Sequence, residues 1–232
     1  PPGNFNPWWP TFSPDGDRIA FSTLSGQLVL QDTNGGAPEE IFATTSGTSK
    51  SNYSRLDCLR WSPKGLYLAW EAVPRGKGSL LYPIFTMRAD GTKLKQAAAL
   101  GRSPAWDPQG ERLYYLISVR QKEGEPFDPS LPAYIVSVRP DGTAAQNEVV
   151  FKTAAGLKTA FGVGEKVFYY AAAVALADGT VVEAIIALNR TTKARKVLFK
   201  APPGYWIADL VVGKTAYLEA FKKARAKGGK GS

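Results

Sequence analysis

Acidic side chains are the first candidates for chemistry in this sequence, because two carboxylates roughly 5–10 Å apart can act as acid and base on a glycosidic bond. Four aspartates each precede a glycine: Asp15, Asp90, Asp141 and Asp178. Asp-Gly is a common turn dipeptide, so we interpret these four as turn residues. Asp57 and Asp209 begin apolar runs that read as inner strands. One such pair, without a third carboxylate, is weak support for a glycosidase.

Composition removes several other kinds of site. The 232 residues contain no histidine and a single cysteine, Cys58, so this sequence holds no Ser-His-Asp triad, no histidine-ligated metal and no internal disulfide. Asp15-Gly16-Asp17 resembles the start of a calcium loop but lacks the further oxygen ligands. We therefore predict no catalytic residue, no metal and no cofactor. Cys58 is interpreted as a small buried residue on an inner strand.

Positive charge is the second chemical feature. The net charge is +9, and five basic residues without any acid fall within the last eleven positions: Lys222, Lys223, Arg225, Lys227 and Lys230. Such a tail is typical of a mobile arm that meets an acidic partner, and equally of a solvated terminus. No motif that reads bases accompanies the charge, so a nucleic-acid partner is not expected. No window approaches 18 apolar residues, so no transmembrane helix is predicted.

The elements that must position these residues are repeated units. The clearest copies occupy residues 10–16 (PTFSPDG), 59–65 (LRWSPKG) and 104–110 (PAWDPQG), each followed by an alternating apolar run. Weaker copies lie at 161–164 and 210–213, and the turn glycines of the five copies recur every 45 to 54 residues. Proline fixes φ in such a turn, and glycine tolerates the positive φ that closes it. A period of roughly 40–50 residues with strand-like content is typical of a β-propeller blade.

The predicted fold class is therefore all-β, a β-propeller of antiparallel four-stranded blades with at least sixteen strands. We expect about five blades with the last one incomplete, because only a pair of strands, near 207–211 and 215–220, follows the fourth unit. The propeller would span residues 1–221, and residues 222–232 would form a basic flexible tail. Its blades would begin near residues 8, 57, 103, 158 and 206.

Residues 12–21, which read FSPDGDRIAF, resemble the WD40-like (PD40) repeat of TolB-type propellers. The second and third copies match with Lys64 and Gln109 in place of the aspartate. The same repeat occurs in the propeller domains of prolyl oligopeptidase-like peptidases, so the resemblance implies the fold but not one function. TolB-type rings usually have six blades, so the alternative to a short five-blade ring is a fragment of a larger ring. With an N-terminus at Pro1 rather than Met, the resemblance also favours a periplasmic or otherwise exported location.

The tryptophans divide into two groups. Trp61 and Trp106 occupy the aromatic position of the repeat and Trp70 faces it across a hairpin, so all three are predicted to pack between blades. Trp8-Trp9 and Tyr205-Trp206 stay open as exposed binding residues, because neighbouring strand residues point to opposite faces and one of each pair would be exposed.

The longest connections are predicted to share one face, and loops on a rigid scaffold are where binding residues concentrate. The candidate partner-binding residues are Arg55, Arg75, Lys77, Arg102, Lys122 and Tyr205, with Lys222, Lys223, Arg225 and Lys227 of the tail. We predict a non-catalytic scaffold subunit, not an enzyme, that binds an acidic protein partner in a larger assembly and has no small-molecule substrate. Two alternatives stay open: a carbohydrate-active propeller enzyme, and a propeller domain cut from a prolyl-oligopeptidase-like protein.

Overall fold

A computed structural model of the chain describes residues 7–44, 53–75, 82–118, 132–152 and 157–210. The elements within these ranges are sixteen β-strands. The described ranges include no helix long and apolar enough to cross a membrane.

The strands form four sheets, and we number the strands in chain order. Blade 1 contains β1 (Pro7–Phe12), β2 (Arg18–Thr23), β3 (Gln27–Asp32) and β4 (Glu39–Ala43). Blade 2 contains β5 (Tyr53–Trp61), β6 (Tyr67–Pro74), β7 (Ile84–Arg88) and β8 (Lys95–Ala98). Blade 3 contains β9 (Arg102–Trp106), β10 (Leu113–Ser118), β11 (Ala133–Val138) and β12 (Gln146–Phe151). Blade 4 contains β13 (Leu157–Val163), β14 (Val167–Ala175), β15 (Val181–Asn189) and β16 (Arg195–Lys200).

The strands of each sheet pair antiparallel with their sequence neighbours. The first strands of successive blades contact one another, β1 with β5, β5 with β9 and β9 with β13. First strands therefore line the centre, and fourth strands such as β16, whose six residues are all exposed, lie at the periphery. This arrangement confirms the predicted all-β propeller of four-stranded blades with at least sixteen strands.

The Ser-Pro-Asp-Gly turn is closed by a backbone hydrogen bond and stabilised by its own side chains. The Gly16 amide donates to the Ser13 carbonyl at 2.9 Å, and Gly16 has a φ of 82° that favours glycine. Asp15 accepts from the Asp17 amide at 3.1 Å. Hydrogen bonds from Ser13 and then from the Asp17 amide lower the pKa of Asp15, because they stabilise its charged form. Asp90, Asp141 and Asp178 likewise accept from a threonine two residues later, as expected of turn residues.

Blades pack through three apolar clusters, one at each contact between consecutive blades. Trp106 of blade 3 is buried against blade 2, where its ring stacks on Tyr67 with centroids 6.1 Å apart. Its Nε1–H donates to the carbonyl of Arg60 at 3.4 Å. Trp61 and Trp70 are buried in the cluster between blades 1 and 2. The structure thus confirms that these three tryptophans pack between blades.

β1, β5 and β9, the innermost strands of blades 1 to 3, share a bulge that was not predicted from the sequence. Trp9, Cys58 and Ser103 occupy equivalent positions and have φ values of 49°, 54° and 53°. The register of each strand with its neighbour shifts at this point. Such bulges bend a strand and redirect its side chains, and they are common beside functional sites. Each strained residue costs on the order of 1–3 kcal/mol.

The chain after β16 differs from the prediction. Residues 201–210 form no strand, whereas the sequence predicted one from Ile207. Tyr205 and Trp206 are both exposed, 70% and 75%, because strand alternation does not apply to an irregular segment. Trp8 is 47% exposed, and Trp9 packs against the cluster between blades 1 and 2. The predicted strand near 215–220 and the tail lie outside the described residues.

Candidate functional site

One end of the propeller carries the beginnings of β5, β7 and β9 and the end of β6. We call it the arginine face, after Arg55, Arg75 and Arg102, which lie at these strand ends. The structure therefore brings three of the predicted binding residues to one face. Tyr205, in the connection after β16, belongs to the same end of blade 4. The remaining candidates lie outside the described residues: Lys77, Lys122, Lys222, Lys223, Arg225 and Lys227.

Arg55 is held by a carboxylate on its own strand. Its Nε donates to both oxygens of Asp57, at 3.1 and 3.0 Å. The Arg55 side chain is half-exposed, whereas Asp57 is buried. Asp57 is therefore engaged by an arginine that itself reaches solvent.

Glu71 is the most buried acidic residue at this face, with 2% exposure. It stands opposite Asp57 in the β5–β6 ladder. Its Oε2 accepts the backbone N–H of Ser103 at 2.9 Å, and its Oε1 lies 3.5 Å from Nε of Arg102. A carboxylate of blade 2 thus fixes the bulged strand of blade 3.

The environment of Glu71 acts in both directions on its acidity. Burial raises the pKa of Glu71 because the charged form loses its hydration, and the nearby Asp57 charge adds to that rise. The Arg102 guanidinium and the Ser103 amide oppose it without cancelling it. The net result is a raised pKa, so ionisation of Glu71 in the folded protein has a cost in stability.

Arg102 is clamped between an aromatic ring and this carboxylate. Its guanidinium carbon lies 4.1 Å from the centroid of the Tyr82 ring, a cation–π contact. One third of the side chain is exposed. Within the described part of the chain its Nε has no hydrogen bond and faces Glu71 only as an ion pair. The buried Ser103 hydroxyl beside it also has no partner among the described residues.

Arg75 completes a common pattern. Its Nε donates to the Tyr53 carbonyl at 2.7 Å. Each of the three arginines therefore uses Nε for an internal contact, and across the described ranges none of their Nη groups has a hydrogen-bond partner. A guanidinium presented in this way offers two parallel N–H groups, which match a carboxylate in a bidentate geometry.

Asp57 and Asp209, the candidate acid–base pair, are each paired with a different arginine. Asp209 contacts Nη2 of Arg60, whose guanidinium also lies over the Trp9 ring at 5.9 Å. Asp57 and Asp209 are thus each bound by a separate arginine. Cys58 is buried as predicted, and burial followed by the Glu71 charge raises the pKa of its thiol well above the ordinary value.

Sequence reasoning missed Glu71 and Tyr82. Glu71 does carry a signal, because it is the only charged residue in the strand Tyr67–Pro74. An acid within an otherwise apolar strand needs a partner when the strand is buried. Tyr82 follows a connection and carries no comparable signal.

Comparison with protein-family models gives no match. The chain is 30% identical over 122 residues to an uncharacterized peptidase, YuxL, of Bacillus subtilis (strain 168). That match covers 51% of this chain, and the chain spans 18% of the relative's length.

Among solved structures, the tricorn protease matches with a TM-score of 0.61 and 11% identity, over 88% of this chain and 23% of that one. The acylaminoacyl peptidase of Pyrococcus horikoshii matches with a TM-score of 0.57 and 12% identity, over 87% and 33%. An oligogalacturonate lyase in complex with manganese matches with a TM-score of 0.56 and 11% identity, over 89% and 57%. At these identities the likeness shows the fold, a propeller of repeated blades.

These comparisons contradict two predictions. The expected non-catalytic scaffold, and with it the expectation that the protein is not an enzyme, is wrong. The curated relative, 30% identical over 122 residues, is named a peptidase. Catalytic residues of an enzyme that contains a propeller can lie outside the propeller, so the lack of a catalytic motif within these 232 residues does not exclude an enzyme. That match favours the peptidase-related alternative over the predicted scaffold.

Proposed function

We propose that these residues form the propeller domain of a peptidase that resembles prolyl oligopeptidases. The observation that carries the proposal is the 30% identity over 122 residues to the peptidase YuxL. The PD40-like repeat at residues 12–21 supports it, because that repeat also occurs in prolyl oligopeptidase-like propellers.

In this proposal the bond-breaking residues lie in a part of the polypeptide outside the given sequence. A Ser-His-Asp triad needs an imidazole to take the proton of the nucleophile, and the 232 residues contain no histidine. The propeller contributes a rigid surface instead. Its arginine face presents fixed guanidinium groups, which can orient a peptide before hydrolysis.

A labelling experiment on the full-length protein tests the proposal. A fluorophosphonate probe should react with a serine outside residues 1–232, and the protein should hydrolyse short peptide anilides. Pretreatment with an untagged fluorophosphonate is the control and should abolish both signals. A labelled serine within residues 1–232, or no amide hydrolysis together with release of an unsaturated product from oligogalacturonate, would contradict it.

A further inference from the structure

We infer that Arg55, Arg75 and Arg102 together bind a carboxylate group of the peptide substrate. The inference rests on the proposed function for the identity of the ligand, and on the geometry of the arginine face for its chemistry. It assigns a ligand to three side chains that make no use of their terminal nitrogens within the described ranges.

Arg102 is the best-fixed of the three. Tyr82 supports its guanidinium plane from one side at 4.1 Å, and Glu71 draws its Nε to 3.5 Å. Glu71 cannot easily turn away, because its other oxygen accepts the Ser103 amide. A guanidinium held at one edge and one face loses little further freedom when its free edge binds a ligand.

The other two arginines are connected to Arg102 through successive contacts. Arg75 bonds to the carbonyl of Tyr53, two residues before Arg55 on the same strand. Arg55 bonds to Asp57, which stands opposite Glu71 in the ladder. Glu71 in turn pairs with Arg102 across the contact between blades 2 and 3. Hydrogen bonds, one ion pair and the paired backbones of β5 and β6 therefore connect all three.

The charges of this connected set do not balance. The connected residues carry three guanidinium groups and only two carboxylates, those of Asp57 and Glu71. The neighbouring pairs Arg60–Asp209 and Lys158–Glu183 are each neutral within themselves. The excess positive charge is unpaired within the described residues, and one added carboxylate would neutralise it. Arginine is suited to this ligand because its planar fork fits both oxygens.

Direct binding to the full-length protein tests the inference without depending on turnover. Fluorescein-labelled peptides of one sequence are compared by anisotropy, one with a free C-terminal carboxylate, one with a C-terminal amide and one amide with a single internal glutamate. We expect the wild type to bind one of the two carboxylate peptides about tenfold more tightly than the plain amide, the range of one charge-assisted bond. Whichever of the two carboxylate peptides binds more tightly than the plain amide shows whether the site takes a C-terminal or an internal carboxylate.

Variants locate the effect. Arg102→Met should remove the carboxylate preference, and Arg102→Lys should retain part of it because the charge stays while the fork is lost. Arg55→Met and Arg75→Met should each reduce the preference for the carboxylate peptide. They replace Arg102→Met as the test if that variant does not fold. Arg88→Met is the matched control, because Arg88 pairs with Asp90 at the opposite end of blade 2.

The outcomes separate this inference from the proposed function. Equal binding of all three peptides by the wild type, with hydrolysis intact, would overturn the inference alone. A carboxylate preference that survives all three methionine variants would also overturn it. Tighter binding of oligogalacturonate than of any peptide would refute a peptide ligand. Absence of hydrolysis with an Arg102-dependent preference would refute the peptidase proposal and leave the carboxylate site standing.

Discussion

Glu71 shows how one side chain serves two blades at once. Its carboxylate supplies the acceptor for a backbone N–H that the bulge at Ser103 removes from the ladder, and it also fixes Arg102. A buried amide without an acceptor would cost about 1–3 kcal/mol. Burial of the charge is the opposing cost. The balance between these two effects should make the ionisation of Glu71 visible in the stability of the protein.

We expect the stability of the protein to fall relative to its Glu71→Gln variant as the pH rises from 4 to 7. The pKa of Glu71 is raised in the folded state by burial, so above the ordinary glutamate pKa, about 4.3, the unfolded chain releases this proton first. That favours unfolding of the wild type, and glutamine does not ionise. Urea denaturation at both pH values measures the difference. Glu165→Gln, at an exposed site in the β13–β14 turn, is the control, and an unchanged difference for Glu71→Gln would refute the argument.

Cys58 should be almost inert in the folded protein. The thiolate is the reactive form, and both burial and the Glu71 charge raise the pKa of this thiol. We expect iodoacetamide to modify native Cys58 severalfold more slowly than the urea-unfolded chain, because the buried side chain is shielded and less of it is thiolate. Glutathione in the same buffers corrects for the effect of urea on the reagent. Equal rates in both states would show that the thiol is accessible.

Among the structural elements, the turns and strands of each blade could be predicted from the sequence, because they depend on residues close together in the chain. The Pro and Gly of each turn and the aromatic residue before them revealed four-stranded units, because these residues act within one hairpin. The bulges at Cys58 and Ser103 and the bridge from Glu71 depend on how neighbouring blades meet. Glu71 and Ser103 are 32 positions apart, and no local pattern predicts which strand ends come together. The sequence predicts Arg55, Arg75 and Arg102 as basic binding residues. That each of them uses its Nε for an internal contact is visible only in the structure.

The aromatic position of the repeat is expected to carry much of the stability of each contact between blades. Trp106→Ala should reduce the free energy of unfolding by about 3–5 kcal/mol, the range for a buried tryptophan, because it removes the Trp106 ring from the cluster between blades 2 and 3. Trp206→Ala, at a site that is 75% exposed, is the matched control and should change it by about 0.5 kcal/mol or less. Chemical denaturation followed by circular dichroism measures both. A loss below about 1 kcal/mol for Trp106→Ala would show that the ring does not hold the blades together.

The whole molecule adds a long-range field to the local site. These 232 residues carry a net charge of +9, and deletion of residues 222–232 would reduce it to +4. Charge of one sign accelerates the approach of an oppositely charged ligand more than it slows departure. The tail can therefore affect an acidic ligand by its charge alone.

We expect the full-length protein lacking residues 222–232 to associate more slowly with an acidic peptide at low salt, with a nearly unchanged dissociation rate. Raising the salt from about 50 to about 500 mM should shrink the difference, because exposed charges are screened over about 10 Å at 0.1 M and over shorter distances above it. Stopped-flow fluorescence measures both rates, and a neutral peptide amide is the control whose association should not change. Equal association rates for the two proteins at low salt would exclude the tail from steering. A change confined to dissociation would instead indicate that the tail contacts the bound peptide directly.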